Sequence, residues 1–147
     1  MTKKACEQVA ALPVAVGQDG QPRVMLLTLR GTKRWVIPKG WPIQGLTRHE
    51  AAAREAYEEA GLVGSIVHEH PIGTYSYEKC LGSGRVVTCL VAVYLFRVDR
   101  QLGEWPERNQ RRTRWFTPAE AASLVAEAEL VVLLRGVQTW DGAVLAA

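Results

Sequence analysis

Residues 40–62 read GWPIQGLTRHEAAAREAYEEAGL, and this stretch predicts a helix with three acidic side chains on one face. Successive residues of an α-helix are rotated by about 100°, so Glu55, Glu58 and Glu59 fall within roughly one third of the helix circumference. Alanines fall on the opposite side. Neighbouring carboxylates repel one another, so the pattern favours a cation beside them. A hard divalent cation with oxygen ligands is the natural candidate.

Both ends of this helix are marked by the sequence. Thr47 is a suitable N-cap, and Glu50 stands three residues later, where its side chain completes a capping box. Gly61 occupies the position at which a left-handed residue ends a helix. The start, the two faces and the end of the segment all predict the same helix.

The rest of the chain predicts a mixture of strands and helices. Thr117, Pro118 and Glu120 mark the start of a second helix, and residues 130–140 predict a third. Apolar and β-branched runs predict strands at residues 10–16, 23–29, 35–37, 62–72, 73–77, 85–98 and 114–116. Residues 39–46 hold two glycines and a proline, so they predict a loop. Hairpins without a regular βαβ repeat indicate an α+β fold, which we expect to form one domain over residues 1–147.

Composition limits the class of protein. A chain of 147 residues is long enough for a hydrophobic core, and its net charge of +3 is too small to indicate a nucleic-acid partner. No apolar run is long enough to span a bilayer, and Glu7 and Gln8 interrupt the apolar segment near the start. Three cysteines without a CxxC pair predict reduced thiols, so we expect a cytoplasmic protein.

The order of strand, Pro-Lys-Gly loop and capped acidic helix resembles the Nudix hydrolase family. That family's motif is Gly, five residues, Glu, seven residues, then Arg-Glu-apolar-x-Glu-Glu-x-Gly-apolar. The residues in register with it are Gly40, Arg54, Glu55, Ala56, Glu58, Glu59, Gly61 and Leu62. One position departs, since Leu46 stands where the motif has its first glutamate. The resemblance implies an α/β/α sandwich with a mixed central sheet.

The resemblance also implies a chemistry. Family members cleave a nucleoside diphosphate linked to another moiety, with water attacking one phosphorus. Mg²⁺ or Mn²⁺ neutralises the phosphates, and carboxylates hold the ion. By resemblance, the helical carboxylates are the metal ligands, with Glu55 and Glu59 foremost and Glu58 a third. A backbone carbonyl at Lys39 or Gly40 adds another ligand.

Two residues receive catalytic roles from the same resemblance. Glu58 is our candidate for the general base that takes a proton from the attacking water, although members of the family differ in which glutamate serves. Arg54 lies one helical turn before Glu58, so we expect it to orient a carboxylate. In the late loop, Glu104 or Glu107 is a candidate for an extra carboxylate.

Basic and aromatic residues suggest the substrate. Arginine pairs bidentately with phosphate oxygens, so basic clusters around the motif suit a polyphosphate. The substrate-binding candidates are Arg34, Lys39, Tyr77, Arg85, Arg112 and Arg114. The basic segment before Trp115-Phe116 resembles the branch that acts on diphosphoinositol polyphosphates and diadenosine polyphosphates. Trp35 and Trp41 flank the loop and either stack on a base or pack internally.

Several alternatives stay open at this point. The substrate is a diadenosine polyphosphate, a diphosphoinositol polyphosphate, or another nucleotide such as a nucleoside triphosphate, ADP-ribose or a capped RNA end. Leu46 leaves room for a non-catalytic, nucleotide-binding regulatory module. We expect a monomer or homodimer, a phosphorylated small-molecule substrate and no membrane association.

Overall fold

The computed structural model describes residues 6–137. The strands are β1 (Cys6–Val16), β2 (Pro22–Thr28), β3 (Trp35–Val36), β4 (Lys39–Gly40), β5 (Leu62–Ile66), β6 (Gly73–Cys80), β7 (Val86–Gln101) and β8 (Thr113–Phe116). The helices are α1 (Arg48–Ala60), α2 (Pro118–Leu124) and α3 (Ala128–Val137). None of these three helices combines the length and apolar character needed to cross a membrane. The mixture of elements confirms the predicted α+β class.

The strands form one mixed sheet. Its central path runs β3, β2, β1, β7, β5, with β4 paired to β1, β6 to β7 and β8 to β2. The two longest strands, β1 and β7, lie side by side and are parallel, while the other pairs are antiparallel. The sheet therefore has a parallel centre, which needs cover on both faces.

Alternation along β1 explains how both faces are covered. Val9 and Ala11 pack in a cluster with the alanines of α1, whereas Ala10, Leu12 and Val14 pack in a second cluster with residues of α2 and α3. Successive side chains of a strand point to opposite faces, so the apolar run over residues 9–14 of β1 serves two helical layers. This arrangement is the predicted α/β/α sandwich.

The helix ends follow the capping signals. The Thr47 hydroxyl accepts from the Glu50 amide at 3.2 Å, and the Glu50 carboxylate accepts from the Thr47 amide at 2.8 Å. Gly61 ends α1 with φ 67°, in the left-handed region that glycine tolerates best. Thr117 and Glu120 form the same capping box at α2. These caps confirm the predicted starts of both helices.

The remaining elements depart from the sequence prediction at their ends. Residues 39–40 pair with β1 as a short strand inside the predicted loop. The predicted strand over residues 62–72 ends at Ile66, and β7 continues to Gln101, past the predicted end of its strand at residue 98. Residues 138–140 of the third predicted helix lie outside the described residues. Pairing with neighbouring strands sets these boundaries, and that pairing depends on distant parts of the chain.

One prediction about the cysteines is wrong. Cys6 and Cys89 were predicted to be reduced, but their sulfurs form a disulfide that joins β1 to β7. The parallel pairing places the two residues in register with their Cα atoms 4.4 Å apart. Because the two cysteines are 83 positions apart in sequence, no local spacing reveals the pair. Cys80 is a free, exposed thiol.

Candidate active site

The acidic helix α1 packs against the short strand β4 at Glu55. Gly40 pairs with Val9 of β1, and Lys39 pairs with Ala10, so the sheet fixes the backbone of this segment. A Cβ atom built on Gly40 would overlap the carboxylate of Glu55. The absence of a side chain at Gly40 therefore lets the Glu55 carboxylate lie directly against the backbone.

A cavity of about 620 Å³ opens beside this contact. Four carboxylates line it together with four cationic side chains. The acidic residues are Glu55, Glu58, Glu59 and Glu107, and the basic residues are Arg30, Lys39, Lys79 and Arg111. Dense charge of both signs in one cleft suits a ligand that brings a cation and phosphate groups together.

The loop after β7 docks on the C-terminal end of α1. The Trp105 indole donates from Nε1 to the main-chain oxygen of Glu59 at 3.2 Å, and the Glu107 amide donates to that of Glu58 at 3.0 Å. The Leu102 amide donates to the Gly61 oxygen at 2.8 Å. The last carbonyls of a helix have no partner within the helix, so this loop satisfies them and is fixed by them. Glu107 is thereby brought beside the helical carboxylates.

Arg111 connects the loop to the helix. Its guanidinium donates to the Glu107 carboxylate at 3.0 Å and to the Thr28 main-chain oxygen at 3.2 Å. It also lies 3.7 Å from a Glu59 carboxylate oxygen. The Arg111 side chain is only 9% exposed, so these ion pairs are shielded from water and are stronger than surface pairs. The guanidinium offsets part of the negative charge of the cavity.

Burial changes the protonation of the helical carboxyl groups. Burial, followed by a hydrogen bond with the Glu55 carboxyl, raises the pKa of Glu59 to about 9, while the Arg111 guanidinium opposes the shift. Burial also raises the pKa of Glu55. Each shift favours a carboxyl group that keeps its proton over an ionised carboxylate. A cation that displaces these protons would restore both carboxylates as ligands.

Lys39 and Tyr77 form another part of the cavity lining. Burial lowers the pKa of the Lys39 ammonium, although the Glu59 carboxylate opposes that effect. The Lys39 Nζ lies 4.9 Å from the centre of the Tyr77 ring, within cation–π distance. The Tyr77 hydroxyl donates to the Gln8 side chain at 2.5 Å. Lys39 is therefore a largely desolvated cation facing the acidic helix.

Glu58 differs from its neighbours in its surroundings. Its side chain is 33% exposed, whereas the Glu59 side chain is 5% exposed. The Arg54 guanidinium donates from Nε to a Glu58 oxygen at 3.0 Å, one helical turn away. Glu58 is thus the helical carboxylate with both access to water and a partner that restrains it.

The oxygen atoms of these carboxylates suit a hard divalent cation. Four carboxylates line one cavity, and carboxylate oxygens are the ligands that Mg²⁺ and Mn²⁺ prefer. They are not arranged in advance, since within residues 6–137 no three His, Cys, Asp or Glu side chains form a ready metal-binding group. Arg54 and Arg111 occupy carboxylate oxygens that a metal would use. A metal that used these oxygens would compete with the two ion pairs.

The structure brings together most of the residues predicted from the motif. The predicted residues that line the main cavity are Lys39, Gly40, Glu55, Glu58, Glu59 and Tyr77. Arg34 lines an adjoining cavity of about 310 Å³ and donates to both oxygens of Glu127, at 3.1 and 3.0 Å. Arg54 acts through Glu58 rather than as part of the cavity lining.

Three predicted substrate-binding residues lie elsewhere. Arg85, Arg112 and Arg114 are all described and line neither of these two cavities. Arg114 lies over the Phe116 ring, 5.4 Å from its centre, and Arg112 is exposed. From the basic segment before Trp115-Phe116, Arg111 lines the main cavity. Leu46, at the departing motif position, is exposed and also lies outside the cavity lining.

The sequence does not single out some of the residues that line the cavity. Arg30, Lys79 and Arg111 belong to the basic clusters, but nothing in the sequence distinguished them from their neighbours. Glu107 was one of two candidates in the late loop, and only the docking of that loop separates it from Glu104, whose side chain is 87% exposed. Gln8 carries no sequence signal, because strand pairing alone brings it to Tyr77.

Comparison with known proteins agrees with the sequence motif and the fold. The NUDIX domain model matches residues 7–135. Nudix hydrolase 12, mitochondrial, from Arabidopsis thaliana is 38% identical over 97 residues, which is 60% of this chain and 45% of that protein. The oxidized purine nucleoside triphosphate hydrolase of Danio rerio is 34% identical over 100 residues, 65% of this chain and 60% of that one. The chain spans about half the length of the curated plant relatives that it matches.

Solved structures share the fold. A C. elegans Ap4A hydrolase in a binary complex superimposes with a TM-score of 0.67 at 22% identity, over 89% of this chain and 93% of that one. A NUDIX hydrolase from Nitrosomonas europaea superimposes with a TM-score of 0.63 at 22% identity, over 91% and 88% of the two chains. At this identity the likeness concerns the arrangement of the sheet and helices.

Proposed function

The chain belongs to the NUDIX domain family, and we propose that it is a pyrophosphohydrolase that uses Mg²⁺ or Mn²⁺ to act on a highly phosphorylated small molecule. One observation carries the proposal: four carboxylates and four cationic side chains line a single cavity at the motif helix. The carboxylates suit a divalent ion, and the lysines and arginines suit the phosphate groups that such an ion accompanies.

The helical carboxylates and Glu107 would hold the metal. Glu55 and Glu59 are the foremost ligands, because both line the cavity and stand one helical turn apart on α1. The Gly40 backbone lies against the Glu55 carboxylate, so a main-chain oxygen of Lys39 or Gly40 is the proposed further ligand. When bound, the ion supplies charge neutralisation of the phosphates and activation of water.

Glu58 is the proposed general base. Its carboxylate lines the cavity and reaches solvent, so it has access to the water that attacks phosphorus. Arg54 positions it through the 3.0 Å hydrogen bond. Lys39, Arg30 and Lys79 would bind the phosphate oxygens, since each lines the same cavity as the carboxylates.

A diadenosine polyphosphate or a diphosphoinositol polyphosphate is the proposed substrate. The number of cationic residues around the cavity favours a chain of several phosphates over a single one. A nucleoside triphosphate is the runner-up, since the 34% identical zebrafish relative is named as a hydrolase of oxidized purine nucleoside triphosphates. ADP-ribose and capped RNA ends complete the set of substrates to compare.

The direct test is phosphate release from this panel with Mg²⁺ and with excess chelator. We expect turnover of at least one polyphosphate with Mg²⁺, its loss in chelator and its recovery when Mg²⁺ is added back. Turnover that persists in chelator would reject the metal-dependent mechanism. The same assay on Glu55→Gln, with Glu104→Gln as an exposed control, links the activity to this cavity.

A non-catalytic nucleotide-binding module is the second candidate. Two observations favour it, namely Leu46 at a motif glutamate and the absence of a ready-made metal-binding group within residues 6–137. Tight nucleotide binding without turnover, at every metal concentration tested, would support this module over the hydrolase.

A further inference from the structure

Trp41 differs in its exposure from the other tryptophans within residues 6–137. Its side chain is 49% exposed, while Trp35, Trp105 and Trp115 are all partly buried. Trp35 packs edge-on against Phe116 with ring centres 5.1 Å apart. Packing therefore accounts for Trp35 but leaves much of the Trp41 surface in water, which is unfavourable for so large an apolar group.

Trp41 is also fixed close to the acidic helix. It lines the main cavity and directly follows Gly40, whose backbone lies against the Glu55 carboxylate. Pro42 follows it, and the proline ring restricts the backbone there. A ligand phosphate beside Glu55 would therefore have an aromatic surface within reach of the group attached to it.

Lys79 accompanies the Trp41 ring. Its Nζ lies 5.9 Å from the ring centre, at the outer limit of a cation–π contact. Lys79 lines the same cavity, and its long side chain can turn towards a phosphate. A nucleotide offers a base for the ring and phosphates for the lysine, so it satisfies both residues at once.

The other aromatic group of the cavity is already engaged. The Tyr77 ring is contacted by Lys39 at 4.9 Å, and its hydroxyl is bonded to Gln8. The shorter cation contact and the fixed hydroxyl leave Tyr77 less free than Trp41 to receive a base.

We propose that Trp41 is a stacking platform for a nucleobase of the substrate, with Lys79 binding the adjacent phosphate. The inference rests on the proposed function, because it assumes that the phosphates bind at the acidic helix. It assigns the substrate to nucleotides, such as dinucleoside polyphosphates, rather than to phosphorylated inositols, which have no aromatic ring to stack.

The test is calorimetric binding of two non-hydrolysable probes in Mg²⁺. One is methylene-bridged diadenosine tetraphosphate, and the other is methylene-bridged tripolyphosphate, which lacks a base. Trp41→Ala is expected to raise the Kd of the dinucleotide at least about fivefold and that of tripolyphosphate less than about twofold. Trp41→Phe keeps a ring, so the dinucleotide should bind within about threefold of wild type. Tyr57→Ala removes an exposed aromatic ring outside the cavity lining and should change neither.

Three results would overturn the inference: an unchanged dinucleotide Kd in Trp41→Ala, equal weakening of both probes, or no wild-type preference for the dinucleotide. The variants are checked by circular dichroism, and Trp41→Leu replaces Trp41→Ala if the latter unfolds.

The hydrolysis panel separates this inference from the proposed function. Mg²⁺-dependent cleavage of a diphosphoinositol polyphosphate with no effect at Trp41 would retain the hydrolase and reject the platform. Trp41-dependent dinucleotide binding without turnover would retain the platform and reject the hydrolase.

Discussion

The backbone amide of Glu107 donates a hydrogen bond to the main-chain oxygen of Glu58, 3.0 Å away. Two candidate site residues from distant parts of the chain are thus joined through their backbones, and their side chains line one cavity. Trp105 strengthens the junction by donating to the Glu59 oxygen. The acidic helix and the late loop therefore form one unit, and the site depends on that junction.

Trp105→Ala should loosen the junction and reduce activity more than stability. The change removes a hydrogen bond worth about 1 kcal/mol and the ring that lies against Gly61. We expect kcat/KM to fall at least about tenfold, because a small displacement of catalytic groups has a large effect on rate. Steady-state kinetics and urea unfolding measure the two effects. Glu104→Ala in the same loop is the control, and equal losses in both variants would contradict the role of Trp105.

Gly40→Ala should weaken metal binding. A methyl group at this position would overlap the Glu55 carboxylate, so the carboxylate must move away from the backbone. We expect at least about a tenfold loss of Mg²⁺ affinity, measured by activity as a function of metal concentration, with the fold retained. Gly82→Ala is the matched control, since a Cβ there meets nothing within 4 Å. Unchanged metal dependence in Gly40→Ala would remove this contact from the site.

Glu58→Gln should slow turnover while leaving the fold intact. The amide cannot accept a proton at neutral pH, and lost general-base assistance costs at least about a hundredfold in kcat. Arg54→Ala leaves the carboxylate but frees it from the 3.0 Å hydrogen bond, so a smaller loss is expected. Kinetics with Mg²⁺ at saturation separate these effects from metal loss. A near-normal kcat for Glu58→Gln would assign the base role to another residue.

Arg30 and Arg112 test which arginines bind phosphate. Both are basic residues of the clusters seen in the sequence, but Arg30 lines the cavity and Arg112 does not. Arg30→Ala is expected to raise KM at least about fivefold, the loss of roughly 1 kcal/mol from a charge-assisted contact. Arg112→Ala is expected to change KM by less than about twofold. Larger effects at Arg112 would place the phosphate chain outside the cavity.

Local signals predicted the helix and its carboxylates. Capping by Thr47 and the left-handed Gly61 depend on residues within a few positions, so the sequence alone places the ends of α1. The same spacing predicts that Glu55, Glu58 and Glu59 share a face. It cannot predict that Glu59 is buried while Glu58 reaches solvent, because the sheet and the late loop determine burial.

The rest of the site depends on contacts between distant residues. Arg111 meets Glu59 from 52 positions away, and Gln8 meets Tyr77 from 69 positions away. A basic cluster in the sequence identifies a region but does not say which arginine points inward. The Cys6–Cys89 disulfide was missed for the same reason, since only the parallel pairing of β1 and β7 brings the sulfurs together.

The raised pKa of Glu59 gives stability a pH dependence that metal should remove. In the folded protein this pKa is raised to about 9 from an ordinary value of 4.5, chiefly by burial. Between these values the folded state binds more protons than the unfolded state, so the free energy of unfolding falls as pH rises. The stabilisation is complete below pH 4.5 and is lost as the pH passes 9.

Urea unfolding in chelator at pH 5.5, 7 and 8.5 measures this dependence. We expect wild type to lose at least about 1.4 kcal/mol more than Glu59→Gln across this range, the equivalent of one pKa unit. The glutamine stays neutral, so it lacks the proton linkage of Glu59. Saturating Mg²⁺ competes with the proton and should stabilise wild type more at pH 8.5 than at pH 5.5. Parallel pH profiles for the two proteins would mean that Glu59 ionises in the folded state as it does in water.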